Sequence, residues 1–203
     1  MQYVSEPWVL ILVIHWIVML AIPFFIVEVL KCYRHATVDY GYAHLGSRGD
    51  MHGLIMATMF ALITVGLYWL FCGPLGIDLK GVASGLPFPE DIFLKILAIA
   101  YFIIIKPHIE EWFWRRYNYD IFAVYEFDFW LVSFFWALTY TVIAINVGAS
   151  FGWAFAVCLL FTALGRFQIW MRWQHGTFAN YLVHMGICAG VVVCYFLAQN
   201  GKF

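Results

Sequence analysis

Six stretches of this chain are apolar almost without interruption: Trp8 to Leu30, Met51 to Phe71, Ile92 to Ile105, Phe129 to Val147, Phe151 to Trp170 and Phe178 to Ala198. Crossing ~30 Å of hydrocarbon takes roughly 20 such residues in a helix, because lipid offers no partner to an unpaired backbone amide. The third run is the short one, bounded by Lys95 and Lys106. It crosses only if both lysines snorkel towards opposite headgroup layers; otherwise it forms a re-entrant or interfacial helix. A water-soluble surface is excluded by the same count: 11 basic and 12 acidic side chains cannot coat a chain of 203 residues that is 65% hydrophobic. The expectation is a single all-α polytopic transmembrane domain over residues 1–203 with about six spans.

The remaining composition removes function classes. A net charge of −1 with scattered basic residues gives no basic face to track phosphates, which disfavours direct nucleic-acid binding. Cys32, Cys72, Cys158, Cys188 and Cys194 form no C-x-x-C pair, so a disulfide framework is disfavoured, and the three inside apolar runs read as small hydrophobes. The N-terminus has neither a basic n-region nor a small-residue cleavage site, so the first helix is expected to be retained. There is no P-loop, G-x-S-x-G elbow, dinucleotide fingerprint or Cys-rich cluster site, and catalysis is not expected.

Orientation follows from the basic residues. Six crossings put the connections Lys31 to Asp50, Lys106 to Asp128 and Met171 to Thr177 on one side. Lys31, Arg34, Arg48, Lys106, Arg115, Arg116, Arg166 and Arg172 lie in or beside them, against Lys80, Lys95 and Lys202 elsewhere. The positive-inside rule then makes that side cytoplasmic, with both termini outside, in a bacterial inner membrane. Tryptophans near the proposed helix ends, such as Trp8, Trp69, Trp130 and Trp173, fit the interfacial belts. At an offset of 99, Gly49, Gly53, Ala57 and Gly66 align with Gly148, Gly152, Ala156 and Gly165. Such a coincidence suits either a 3+3 inverted repeat or ordinary small-residue packing.

Polar groups within the spans need partners or a wet cavity, since each costs a few kcal/mol in hydrocarbon. Cys158, Thr162 and Arg166 recur every four residues on the fifth span, and Asn180, His184 and Cys188 do so on the sixth. Arg166 and His184 are equidistant from the hairpin between them, which predicts a polar seam of Arg166, His184, Asn180 and Thr162, used for transport or for helix packing. His15, His52 and His184 are candidate haem ligands, with His52 the better-placed mate of His184. His35, His44 and His52 could surround a metal with Asp39 and Asp50, though no ligand pair shares a helix face. The segment His108 to Asp120 mixes charge and aromatics. It reads as an interfacial helix that could dock a partner through His108, Glu111, Trp112, Trp114, Arg115 and Arg116, with Glu111 and Arg115 paired at i,i+4.

Three functional expectations result. The first is a non-catalytic membrane subunit of a larger inner-membrane assembly (secretion, transfer or respiratory), whose partners are lipid and other membrane subunits. The second is a small ion, proton or solute transporter or channel. The third is a redox subunit holding haem or quinone.

Overall fold

The computed structural model describes residues 16, 17, 21, 22, 25, 48–72, 89, 91–117, 126–146 and 151–200. Within them the chain is helical, with no strand, and from residue 48 onwards the described helices are five: α1, Arg48–Cys72; α2, continuous over 92–117; α3, Glu126–Asn146; α4, Phe151–His175; and α5, Thr177–Gln199. Four stretches are long and apolar enough to cross a membrane, namely Met51–Leu70, Ile92–Arg115, Phe151–His175 and Thr177–Gln199, and Phe129–Val142 of α3 is a shorter apolar helix. The first apolar run, Trp8 to Leu30, lies almost wholly outside the described residues.

The third run is where sequence and structure part. Asp91 caps α2 by accepting the Leu94 backbone N–H at 2.9 Å, supplying one of the donors a helix start leaves unmet. The helix does not stop at Ile105. It passes through a π-wound stretch, Tyr101–Ile105, an α-helical turn, Lys106–Glu110, and a second π-wound stretch, Glu111–Tyr117. Pro107 lacks an N–H and crowds the preceding turn of a regular helix. Here it follows a widened π turn, and the Tyr181 hydroxyl donates to the Ile104 carbonyl at 3.0 Å, so the interruption is absorbed. Lys106 does not snorkel to the headgroups: it is buried.

α5 packs mainly on α1, and α3 on α4. Along the first pair Gly53 meets Ala179, Ala57 meets Gly186, and Ala61 and Thr64 meet Gly190, so the two helices run in the same direction at very close range. α3 and α4 are antiparallel, with Phe129 against Trp173, Gly165 against Ser133 and Trp136, and Tyr140 stacked on Phe161 at 4.5 Å. A single residue, Gly176, turns α4 into α5, and its φ of 91° is one that a side chain would strain. Met171, Val183 and Ile187 form the apolar core, with Met56, Phe60, Leu164 and Phe167 packed on it.

The small residues aligned at an offset of 99 do not pack equivalently. A Cβ added at Gly53 or Gly165 meets neighbours, whereas at their counterparts Gly152 and Gly66 it meets open space. Ala57 is buried and Ala156 exposed. Close helix contact thus accounts for Gly53 and Gly165 and not for Gly66 and Gly152. Cys158, Cys188 and Cys194 are buried and form no disulfide among the described residues.

A methyl group at Gly186 would lie 2.1 Å from the Ala57 carbonyl oxygen, which is backbone and cannot swing aside. Gly186→Ala is therefore expected to destabilise the protein by about 1–3 kcal/mol, the usual range for overpacking, while Gly66→Ala is neutral. Thermal unfolding in detergent, followed with a dye that reacts with the buried thiols, distinguishes the two; equal melting temperatures would contradict the α1–α5 contact.

Candidate functional site

α2 carries two acid–base pairs at helical spacing. Lys106 Nζ lies 2.9 Å from Glu110 Oε1, and Arg115 donates to Glu111 Oε1 at 3.0 Å. In a regular α-helix, at about 100° per residue, Lys106 and Arg115 would stand half a turn apart. The wider i→i+5 winding from Glu111 onwards reduces that offset. All four side chains turn into the bundle, with 2–9% of each exposed, where charges persist only as hydrogen-bonded pairs.

Three other helices complete the shell. From α5, His184 is 1% exposed and places its two ring nitrogens on two carboxylates. Nδ1 is 2.7 Å from Glu111 Oε1, and Nε2 is 3.4 Å from Glu110 Oε2. Asn180, one turn earlier, donates its amide to Glu111 Oε2. From α3, the Tyr140 hydroxyl donates to Glu110 Oε2 at 2.8 Å and accepts from Lys106 at 2.9 Å, and Trp136 Nε1 donates to the same carboxylate oxygen at 3.3 Å. The Arg115 guanidinium lies 4.0 Å from the Trp136 ring centre, within cation–π range. From α4, Gln168 accepts from Arg115.

The formal charges balance: Lys106 and Arg115 offset Glu110 and Glu111, and His184 contributes zero or one positive charge. A neutral imidazole has one N–H and can donate to one carboxylate only, leaving its other nitrogen a lone pair facing an acceptor. One mobile proton, on the ring or on a carboxylate, removes that conflict. The arrangement can thus hold a proton and pass it between Glu110 and Glu111 through His184.

The structure places the four residues of the expected seam in different surroundings. His184 and Asn180 meet in this cluster, but Arg166 does not join them. It is half-buried on the far side of α4, over the rings of Phe129, Trp130 and Trp173 at 5.8, 6.0 and 5.3 Å. Gln168, two residues on and so about 200° around the helix, takes the place expected for Arg166. Thr162 donates its hydroxyl back to the Cys158 carbonyl at 2.7 Å, a local bond within α4.

The interfacial helix expected from His108 onwards is instead the continuation of α2. Glu111 and Arg115 face inward because Asn180, His184 and Gln168 satisfy them there. His108 is exposed, with Tyr181 edge-on at 5.5 Å, while Trp112 and Trp114 are half-buried. Arg116 belongs to the same π-wound stretch. His52 stacks on His175, centroids 5.1 Å apart, and not on His184, whose nitrogens are taken by carboxylates; no axial pair is formed between them. His15, His35 and His44 lie outside the described residues. Among the described residues no three His, Cys, Asp or Glu side chains form a group able to hold a metal.

Lys106, Glu110, Trp136, Tyr140 and Gln168 were not foreseen. Two of them were legible: Lys106 and Glu110 have the same i,i+4 spacing as Glu111 and Arg115. Gln168 and His184 are also the residues equidistant from Gly176, about 12 Å along each helix at 1.5 Å per residue. No family model, curated protein or solved structure matches the chain.

Removing one member of a buried pair strands its partner's charge. Glu111→Ala is expected to lower stability by about 3–5 kcal/mol, and Thr162→Val by about 1 kcal/mol, for the loss of one local hydrogen bond. Thermal denaturation of both variants in the same detergent checks the order; a larger loss for Thr162→Val would contradict this arrangement.

Proposed function

We propose that this chain is a membrane transport protein that moves protons through the Glu110–His184–Glu111 cluster. One observation carries the reading: a buried imidazole whose two nitrogens face two different carboxylates. A proton leaving Glu110 Oε2 for Nε2 makes the ring an imidazolium, and release of the Nδ1 proton to Glu111 Oε1 returns it to neutral. Each step moves one proton and leaves the net charge of the cluster unchanged. Ionisable groups within spans are rare and costly, and proton relays are a principal use of them. A metal cation is served less well, because Lys106 and Arg115 already occupy the carboxylate oxygens. An anion is served less well because Glu110 and Glu111 already occupy both cations.

The proposal includes six crossings of a bacterial inner membrane, adding residues 8–30 and α3 to the four long apolar helices. Arg48, Arg116, Arg166 and Arg172, with Lys31 and Arg34, would mark the cytoplasmic side, even with Lys106 and Arg115 withdrawn into the bundle. Membership of a larger membrane assembly is compatible with this reading. It is supported by the row of large apolar side chains that α1 leaves uncovered, including Met51, Leu54, Met59, Leu62 and Trp69, which suits neighbouring helices as well as lipid.

Purified protein in liposomes, driven by a potassium diffusion potential and read with an internal pH dye, is expected to carry protons. His184→Ala should reduce the flux at least tenfold, since it removes the bridge between the carboxylates. Wild-type flux no greater than that of empty liposomes, or flux unchanged in His184→Ala, would falsify the assignment.

A further inference from the structure

The Asn180 side chain is wholly buried, yet only half of its amide is used. Its Nδ2 donates to Glu111 Oε2, whereas Oδ1 has no hydrogen-bond partner among the described residues. Leaving a buried acceptor unmet costs about 1–3 kcal/mol, and native proteins seldom leave one without reason. Gln168 also has an unpartnered amide atom, Nε2. The two differ in what a flip would achieve. Gln168 faces Arg115, which only donates, so turning its amide would set donor against donor. Asn180 faces a carboxyl group, which accepts when ionised and donates when protonated.

We propose that Asn180 is a protonation-tracking residue, whose amide turns over when Glu111 takes up a proton, presenting Oδ1 to the new O–H in place of Nδ2. This rests on the proton-transfer reading of the cluster. The oxygen concerned is set by the neighbours. Glu111 Oε1 already receives Arg115 and faces His184 Nδ1, whereas among the described residues Oε2 has Asn180 alone. A proton just handed to Oε1 faces the emptied Nδ1 and leaves the amide as it is; in the state where Nδ1 carries its proton and Glu111 is also protonated, the proton of Glu111 rests on Oε2. The amide then closes a hydrogen bond in either state, so that loading and unloading Glu111 leave no unmet donor opposite it. The terminal amide torsion of asparagine is broad and roughly two-fold, so the flip keeps the backbone and the first torsion in place.

The titratable and charged groups around Glu111 are, on its own helix, Arg115, Glu110, Lys106 and His108, and on α5 His184 and Cys188. α3 contributes Tyr140 through Glu110. α4 contributes the neutral Gln168 through Arg115, with Arg172 one turn beyond it. Among the described residues, Asn180 is the one direct partner of Glu111 that neither titrates nor carries charge, and so the one that can follow the carboxyl without competing for its proton.

The test is infrared difference spectroscopy over a pH step, on the full chain in liposomes with isotope-labelled asparagine amides. A carboxylic acid C=O band, absent from Glu111→Gln, is expected to rise on acidification together with a shift of one labelled amide band, absent from Asn180→Leu. A Glu111 band that rises while the amide stays still overturns the proposal, as does a Glu111 band that never rises. Transport gives a second reading. Leucine can neither donate nor accept and is expected to reduce proton flux roughly tenfold or more, as for a lost bond to a charged group. Asn180→Thr, whose hydroxyl does both by rotating, is expected to keep flux within about threefold; equal loss in both variants overturns the switch. An amide that turns in a protein without flux would uphold the switch and sink the transport reading, and flux with a static amide would do the reverse.

Discussion

The described structure depends on the neutralisation of α2. That helix takes two acids and two bases into a bundle where unpaired charge is prohibitively expensive, and it does so because each acid has a base one turn away. Lys106–Glu110 and Glu111–Arg115 make the segment electrically neutral before any other helix contributes. The i,i+4 pairing alone would not suffice, since paired charges still lose hydration on burial. Tyr140, Trp136, His184, Asn180 and Gln168 restore what water would have supplied, and α3, α4 and α5 are held around α2 by the same bonds. The cluster is therefore the structural clasp of the described bundle.

The close packing of α1 on α5 serves this arrangement. Gly53, Ala57, Gly186 and Gly190 bring two backbones together where the hydrophobic effect gives helices no preference for one another over lipid. α5 is thereby fixed on one face by shape, leaving the opposite face to present Asn180 and His184 to the carboxylates. Met171, Val183 and Ile187 fill the space between α1, α4 and α5. The single-residue turn at Gly176 then places Gln168 and His184 at equal height, so that one hairpin supplies partners to both ends of the Glu111–Arg115 pair.

Some of the site was readable from residue order. The polar stripe of Asn180, His184 and Cys188 follows from their spacing of four, and its depth from counting residues to the hairpin. The Glu111–Arg115 pair follows from the same rule. What misled was polarity: a segment with His108, two glutamates and two arginines looks too charged for a bundle interior, because summing hydropathy treats each charge as separately hydrated. Paired at one turn, the charges cancel, and α2 runs on through Pro107. Arg166 misled in the opposite way. It had the right depth but stood about 200° around α4 from Gln168, and angular position depends on which face of α4 meets α3.

Membrane character, helical class and the approximate positions of the long apolar helices belong to the sequence, since length and apolarity along one segment are local properties that the bilayer reads directly. Which polar residues meet is not local. It depends on the π-wound turns that rotate Arg115 towards Lys106, on the crossing of α1 and α5 that aims His184, and on the face α4 offers to α3. Those are set by packing among helices far apart in the chain, and only the tertiary structure decides them.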